Sequence, residues 1–179
     1  MRDKQVAPTR SLVTGGCGFI GSHLVDLLLD QGHDVVVLDN MSTGRRENLS
    51  HVSSGARLTI IEGSIQDEQT VESAMDGCDY VFHLAALADI VPSIVNPLGY
   101  FSANVDGTLI VLDVARRQGI TKLVYAASSS CYGIPDTYTT PETAEIRPVP
   151  VCLHKVGWGA DSPTLEPGVR VAFCRPSTI

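Results

Sequence analysis

Aromatic residues are scarce in this chain, with four Phe, five Tyr and one Trp among 179 residues. Basic residues are also few. Thirteen Lys and Arg stand against twenty Asp and Glu, a formal charge of −7. That balance argues against a surface that tracks phosphates, so neither a nucleic acid nor a membrane surface is an expected partner. No apolar run is long enough to span a bilayer and there is no signal-peptide pattern, so a cytoplasmic protein is expected. The five cysteines (Cys17, Cys78, Cys131, Cys152 and Cys174) form no C-x-x-C pair and no metal-ligand spacing. They read as reduced thiols. His23, His33, His51, His83 and His154 are scattered and read as structural or solvated, with no metal site. Internal repeats and low-complexity segments are lacking too. What is present is 44% hydrophobic content, enough for the core of one domain.

The richest stretch is SLVTGGCGFIGSHLV, residues 11–25. It reads as a short apolar strand, a glycine-rich turn and the start of a helix. Gly15, Gly18 and Gly21 sit three apart, and Gly16, Gly18 and Gly21 also satisfy G-x-G-x-x-G. One glycine allows the tight turn, one lets the backbone approach a pyrophosphate, and one lets helix and strand pack closely. The phosphates would sit at the helix N-terminus, where free N–H groups and the helix dipole favour negative charge. Asp39 ends the next strand, near the spacing at which an acid meets the adenosine ribose. A carboxylate there bonds the 2′-hydroxyl and repels a 2′-phosphate, which points to NAD rather than NADP.

Strand and helix patterns alternate along the chain. Strands are expected at 11–14, 34–39, 58–62, 80–84 and 122–127, with helices over 19–31 and 98–118 and another beginning at Asp67 and Glu68. The helix over 19–31 carries Leu24, Val25, Leu27 and Leu28 on its apolar side and ends before Gly32. DVVVLD, at 34–39, is continuously apolar, as a strand buried on both faces should be. Alternation of this kind implies an α/β fold, a doubly wound parallel sheet of Rossmann type with strand order 3-2-1-4-5. Residues 1–9 are a polar leader, 10–148 the nucleotide-binding domain, and 149–179 a disordered tail.

Several motifs, in order, resemble the extended short-chain dehydrogenase/reductases, in the NAD-dependent sugar epimerase/dehydratase group, and most of all its UDP-glucose and UDP-N-acetylglucosamine 4-epimerase types. They are TGGCGFIGSHLV (14–25), LDNMSTGRRENL (38–49), EGSIQD (62–67), HLAALA (83–88), NVDGT (104–108) and SSSCYG (128–133). The resemblance implies that NAD is held by Gly15, Gly18, Phe19, Ile20, Gly21, Asp39, Asn40, Ser64, Ile65, Leu84, Ala85, Ala86 and Asn104. Ser64 stands where the family carries an aspartate that meets adenine. Ser128 matches the catalytic Ser/Thr that bonds the 4-oxygen of a UDP-sugar substrate. The implied reaction is a transient oxidation at C4, with tyrosinate as base and a lysine lowering its pKa. Dehydratases of the group carry an Asp-Glu pair after the catalytic Ser/Thr. Ser129 and Ser130 stand there instead, which favours epimerisation. The resemblance also implies a homodimer formed through helices such as 98–118.

The likeness stops after residue 148. Lys155 is present, but Val151 stands four residues before it, where the base of Tyr-x-x-x-Lys belongs. Pro150, Pro163, Pro167 and Pro176 interrupt the tail, and its apolar residues keep no helical period. A one-base shift from Val149 lets the codons spell Tyr-Pro-Tyr-Ala and then Phe-Thr-Lys-Leu, with a glycine forced at Trp158. A frameshift product is therefore expected, truncated before its substrate lobe, with a divergent natural terminus as the alternative. Such a chain would lack the catalytic tyrosine, a sixth strand and a covered edge at strand 5. It would be inactive and poorly soluble, with weak NAD binding. A non-catalytic NAD-binding module and a pseudogene fragment are the other readings.

Overall fold

Three consecutive valines between His33 and Leu38 favour extended backbone, and their burial on both sides requires helices above and below. The computed structural model describes residues 9–52 and 57–127, and the backbone of 170–174. Strands β1 (Arg10–Thr14), β2 (Asp34–Asp39), β3 (Leu58–Glu62), β4 (Tyr80–His83), β5 (Lys122–Ala126) and β6 (Arg170–Cys174) form one parallel sheet, ordered β3-β2-β1-β4-β5-β6. The helices are α1 (Phe19–Asp30), α2 (Glu68–Met75), α3 (Ile90–Val95), α4 (Pro97–Phe101) and α5 (Gly107–Arg117). The order reverses between β1 and β4, where a crevice opens at the strands' carboxyl ends.

Alternation along the strands feeds two cores. Leu12, Val36, Leu38, Val81 and Leu123 pack with Val71 and Met75 of α2 and with Val111 and Val114 of α5. Val13, Val35 and Val37 face the other way, onto Val25 and Leu28 of α1, Cys17 and Leu49. Leu27, expected on the apolar side of α1, is half exposed instead. Helix α1 closes with Gly32 at φ +85°, whose N–H bonds to Leu29 O while that of His33 bonds to Leu28 O. This satisfies the last carbonyls as a glycine after a helix should. Asp67 caps α2 by accepting from the N–H of Gln69 at 3.2 Å. Arg117 of α5 pairs with Glu68 and Glu72 of α2 and with Asp113, but these exposed pairs add little stability.

Two expectations change. The helix over 98–118 starts at Pro97, with proline in its first turn, and Ser102–Asp106 is a π-helical turn between α4 and α5. The sheet has six strands rather than five. Arg170–Cys174 pairs in parallel register with β5, Lys122 opposite Arg170 and Ala126 opposite Cys174, so β5 is no bare edge. The prolines and the missing helical period of the tail exclude a helix, not a strand. A strand needs only about five residues, and RVAFC fits between Pro167 and Pro176. No helix among the described residues is long and apolar enough to cross a membrane.

Candidate functional site

The crevice beside the β1–β4 reversal is a cleft of about 350 Å³. Its floor is the glycine turn. Gly15 has φ +70°, and a Cβ there would lie 2.8 Å from the backbone N of Ala85. A Cβ on Gly21 would lie 2.2 Å from Gly15 O, so only glycine lets α1 start this close to the turn. Gly18, at the N-cap of α1, brings no side-chain cap. The Gly18 N–H donates to Gly15 O at 3.1 Å, and Phe19, Ile20 and Gly21 border the cleft at a helix start that has no side-chain cap, as an anion requires.

Asp39 marks the far side of the turn and is 7% exposed. Its Oδ2 accepts the N–H of Cys17 at 3.0 Å and its Oδ1 that of Met41 at 2.9 Å. A carboxylate has about four acceptor positions, so capacity remains on the cleft side for ribose hydroxyls. The side chain of Asn40 folds into a local turn, accepting from the N–H and hydroxyl of Ser42. At the β3 end lie Ser64, Ile65 and Gln66. Ser64 Oγ donates to Gln66 Oε1 and accepts from Gln66 N, and Gln66 Nε2 donates to Ser102 Oγ at 2.8 Å. The serine that stands for the family's aspartate is thus absorbed in a neutral polar turn.

Leu84, Ala85 and Ala86 form the wall after β4. Behind it is a buried relay. Thr108 hydroxyl donates to Asn104 O at 2.6 Å, so Thr108 Oγ1 receives the Nε2–H of His83 at 3.0 Å. That leaves Nδ1 of His83 to accept from Thr14 hydroxyl at 2.7 Å, while Thr14 Oγ1 receives the N–H of Ala85. The network therefore assigns the Nε2–H tautomer to His83. Burial pushes its pKa down to about 4. Asn104 closes the wall by bonding Leu87 in both directions, Nδ2 to the carbonyl at 2.9 Å and Oδ1 to the N–H at 2.8 Å.

Twelve of the residues singled out from the sequence line this cleft together: Gly15, Gly18, Phe19, Ile20, Gly21, Asp39, Asn40, Ser64, Ile65, Leu84, Ala85 and Ala86. Asn104 does not line it; it is buried one layer back, both amide atoms engaged with Leu87. Ser128, Val151 and Lys155 lie outside the described residues. Sequence reading missed Leu38, Ser42, Thr43, Gly63, Gln66, Leu87, Ala103 and Ala126 on the lining. All but two adjoin a singled-out residue or end a strand, and Ser42 and Thr43 lie in the loop after Asn40; nothing in their own identity marks them. Cys17, in the turn, is fully buried. Burial pushes its thiol up to about 11, aided by the Asp39 charge and opposed by Arg46, so it is no nucleophile near neutral pH.

The fit to a dinucleotide is chemical as well as geometric. The cleft brings together an uncapped helix start that could hold a pyrophosphate, a carboxylate that could accept from a ribose, and Ile65 beside a neutral polar turn that could take a base. Comparison with known proteins agrees. The sequence profile described as "NAD dependent epimerase/dehydratase family" matches residues 11–153. A UDP-glucose 4-epimerase of Bacillus subtilis is 38% identical over 130 residues, which are 70% of this chain and 38% of that protein. UDP-glucuronic acid decarboxylase 1 of Arabidopsis thaliana is 40% identical over 134 residues, 75% of this chain and 29% of that protein. The crystal structure of UDP-glucose 4-epimerase from Brucella ovis in complex with NAD is similar with a TM-score of 0.80 at 29% identity, over 93% of this chain and 51% of that one. The chain thus spans about half, or less, of the length of these proteins.

Proposed function

The chain belongs to the NAD dependent epimerase/dehydratase family, and on that premise we propose that it is the NAD-binding portion of a nucleotide-sugar 4-epimerase of the UDP-hexose type, inactive in the reading frame given. The observation that carries the NAD reading is the meeting in one cleft of the Gly15–Gly21 turn, the uncapped start of α1 and the buried Asp39 carboxylate. Bound there, NAD would supply the hydride acceptor and donor for a transient oxidation at C4 of a UDP-sugar. The α1 N-terminus would hold the pyrophosphate, Asp39 the adenosine ribose, and Ile65 with the Ser64–Gln66 turn the base. The Leu84–Ala86 wall, backed by the His83 relay, would exclude water from one side. Ser128 would donate a hydrogen bond to the sugar 4-oxygen.

The Tyr-x-x-x-Lys pattern of the expected catalytic base does not occur in residues 1–179. Lys4, Lys122 and Lys155 are the lysines of the sequence, and none has tyrosine four residues before it. Valine at 151 cannot take a proton. This supports a non-catalytic NAD-binding module as the second reading. The outward-facing Leu98, Phe101 and Leu109 of α4 and α5 are the apolar surface through which a homodimer would form. The test is a coupled epimerase assay with UDP-galactose and UDP-glucose on the 179-residue chain. No interconversion is expected. Turnover above the no-enzyme rate would overturn the proposed inactivity and show that another group serves as base.

A further inference from the structure

The loop that follows β2 is tied to the glycine turn at one residue, through the two peptide groups that flank its Cα. The N–H of Cys17 donates to Asp39 Oδ2 at 3.0 Å. The carbonyl of the same residue receives two donors, Arg45 N–H at 3.0 Å and Asn48 Nδ2 at 2.8 Å. Asn48 N–H donates in turn to Arg45 O at 3.1 Å, and Leu49, 3% exposed, anchors the end of the loop in the same core cluster as Cys17. Gly44 is buried against the Asp39 carboxylate. A Cβ there would lie 2.7 Å from Oδ2 and 2.8 Å from Oδ1. This glycine serves close approach: a side chain would meet the carboxylate itself.

We propose that Asn48 and Gly44 are positioning residues that fix the Asp39 carboxylate and thereby set the preference for NAD over its 2′-phosphorylated form. The proposal rests on the reading of the cleft as an NAD site. Asn48, with Arg45 N–H, holds the carbonyl of Cys17 and so anchors that residue, whose N–H, in the preceding peptide group, donates to Asp39. Met41 N–H holds the second oxygen, and Gly44, having no side chain, leaves room for the carboxylate in that position. Held there, the carboxylate keeps its free lone pairs toward the ribose and meets a 2′-phosphate with like charge. Released from the clamp, it turns aside and the repulsion weakens. Neither residue lines the cleft, so their action on a bound dinucleotide passes through Asp39.

Calorimetric titration of the full 179-residue chain with NAD and, separately, NADP tests this, for the wild type, Asn48→Ala and Gly44→Ala. The wild type is expected to prefer NAD. Asn48→Ala removes one hydrogen bond from the clamp, and the ratio of NADP to NAD dissociation constants should fall about five- to tenfold. Gly44→Ala should lower the same ratio at least as much. A ratio unchanged in Asn48→Ala, with both affinities intact or lowered alike, overturns the proposal and leaves the clamp a structural tie. Circular dichroism checks folding; should Gly44→Ala fail to fold, the Asn48→Ala ratio decides. A wild-type chain that binds no NAD overturns the function proposed above and this inference with it, a result seen before any variant is made.

Discussion

Acid should loosen this domain through His83, and the size of the effect can be worked from its surroundings. The imidazole is 1% exposed, and its nitrogens are matched to the hydroxyls of Thr14 and Thr108 in the neutral form. A second ring proton would face Thr14 Oγ1, which already receives the N–H of Ala85 and would have to send its own hydrogen elsewhere. Burial holds the folded pKa near 4, against an ordinary value of 6.5. The unfolded chain therefore takes up this proton first as pH falls. The folded-state pKa is depressed, so stability is whole above about 6.5 and is lost as pH falls from there through about 4. A gap of about 2.5, at about 1.4 kcal/mol for each pH unit, amounts to about 3 kcal/mol at the acid end of that window and roughly 2–3 kcal/mol at pH 4.5. Urea unfolding at pH 7, 6, 5 and 4.5 measures this on the wild type and on His83→Asn, which carries no titrating ring. The variant is offset at pH 7, but its stability should fall less steeply with acid. Parallel pH dependences would refute the reasoning. If His83→Asn does not fold, the ring's carbon-13 shift in the wild type decides, since it should stay that of a neutral imidazole down to pH 5.

Other consequences are more local. Leu12 is fully buried in the larger core, so Leu12→Ala should lower the free energy of unfolding by about 2–5 kcal/mol in urea titrations; a change below about 1 kcal/mol would mean that the site collapses onto the cavity. The Cys17 thiol, pushed up to about 11, should react with a thiol reagent at pH 8 on the order of 100-fold more slowly than free cysteine, which peptide mapping after timed labelling resolves. Resequencing the DNA across the codons for residues 147–155 and beyond should reveal a one-base difference that restores Tyr-x-x-x-Lys. Confirmation of the recorded frame would instead favour the non-catalytic reading.

The parts of the fold that the sequence announces are those where local and long-range demands agree. The bounds of β2 and β3 were readable to the residue because apolar runs sit between turn signals, His33 before one and Gly63 after the other. The cleft was readable because glycine spacing reports backbone approach directly, as at Gly21. The π-turn was not, since Ser102–Asp106 has no composition that separates it from an α-helix; its extra residue shows only in the backbone. β6 is not legible in the same way: RVAFC stands among the tail's prolines with no helical pattern before it, so no strand–helix alternation marks it. The role of His83 was hidden as well. A histidine at a strand end reads the same whether solvated or sealed, and only the approach of α5, bringing Thr108, distinguishes them. Asn104 shows the reverse limit. The resemblance gives it to the cofactor, and no spacing in the sequence shows that its amide bonds both the N–H and the carbonyl of Leu87.

The central claim is that the cleft between β1 and β4 is built to hold NAD. Titration calorimetry of NAD into the wild-type chain and into Gly21→Val tests it most directly, because a side chain at position 21 would strike Gly15 O and drive α1 from the turn. One NAD bound per wild-type chain, and none by Gly21→Val at the same fold content, is the predicted result. Absence of binding to the wild type, or equal binding by the variant, would contradict the account.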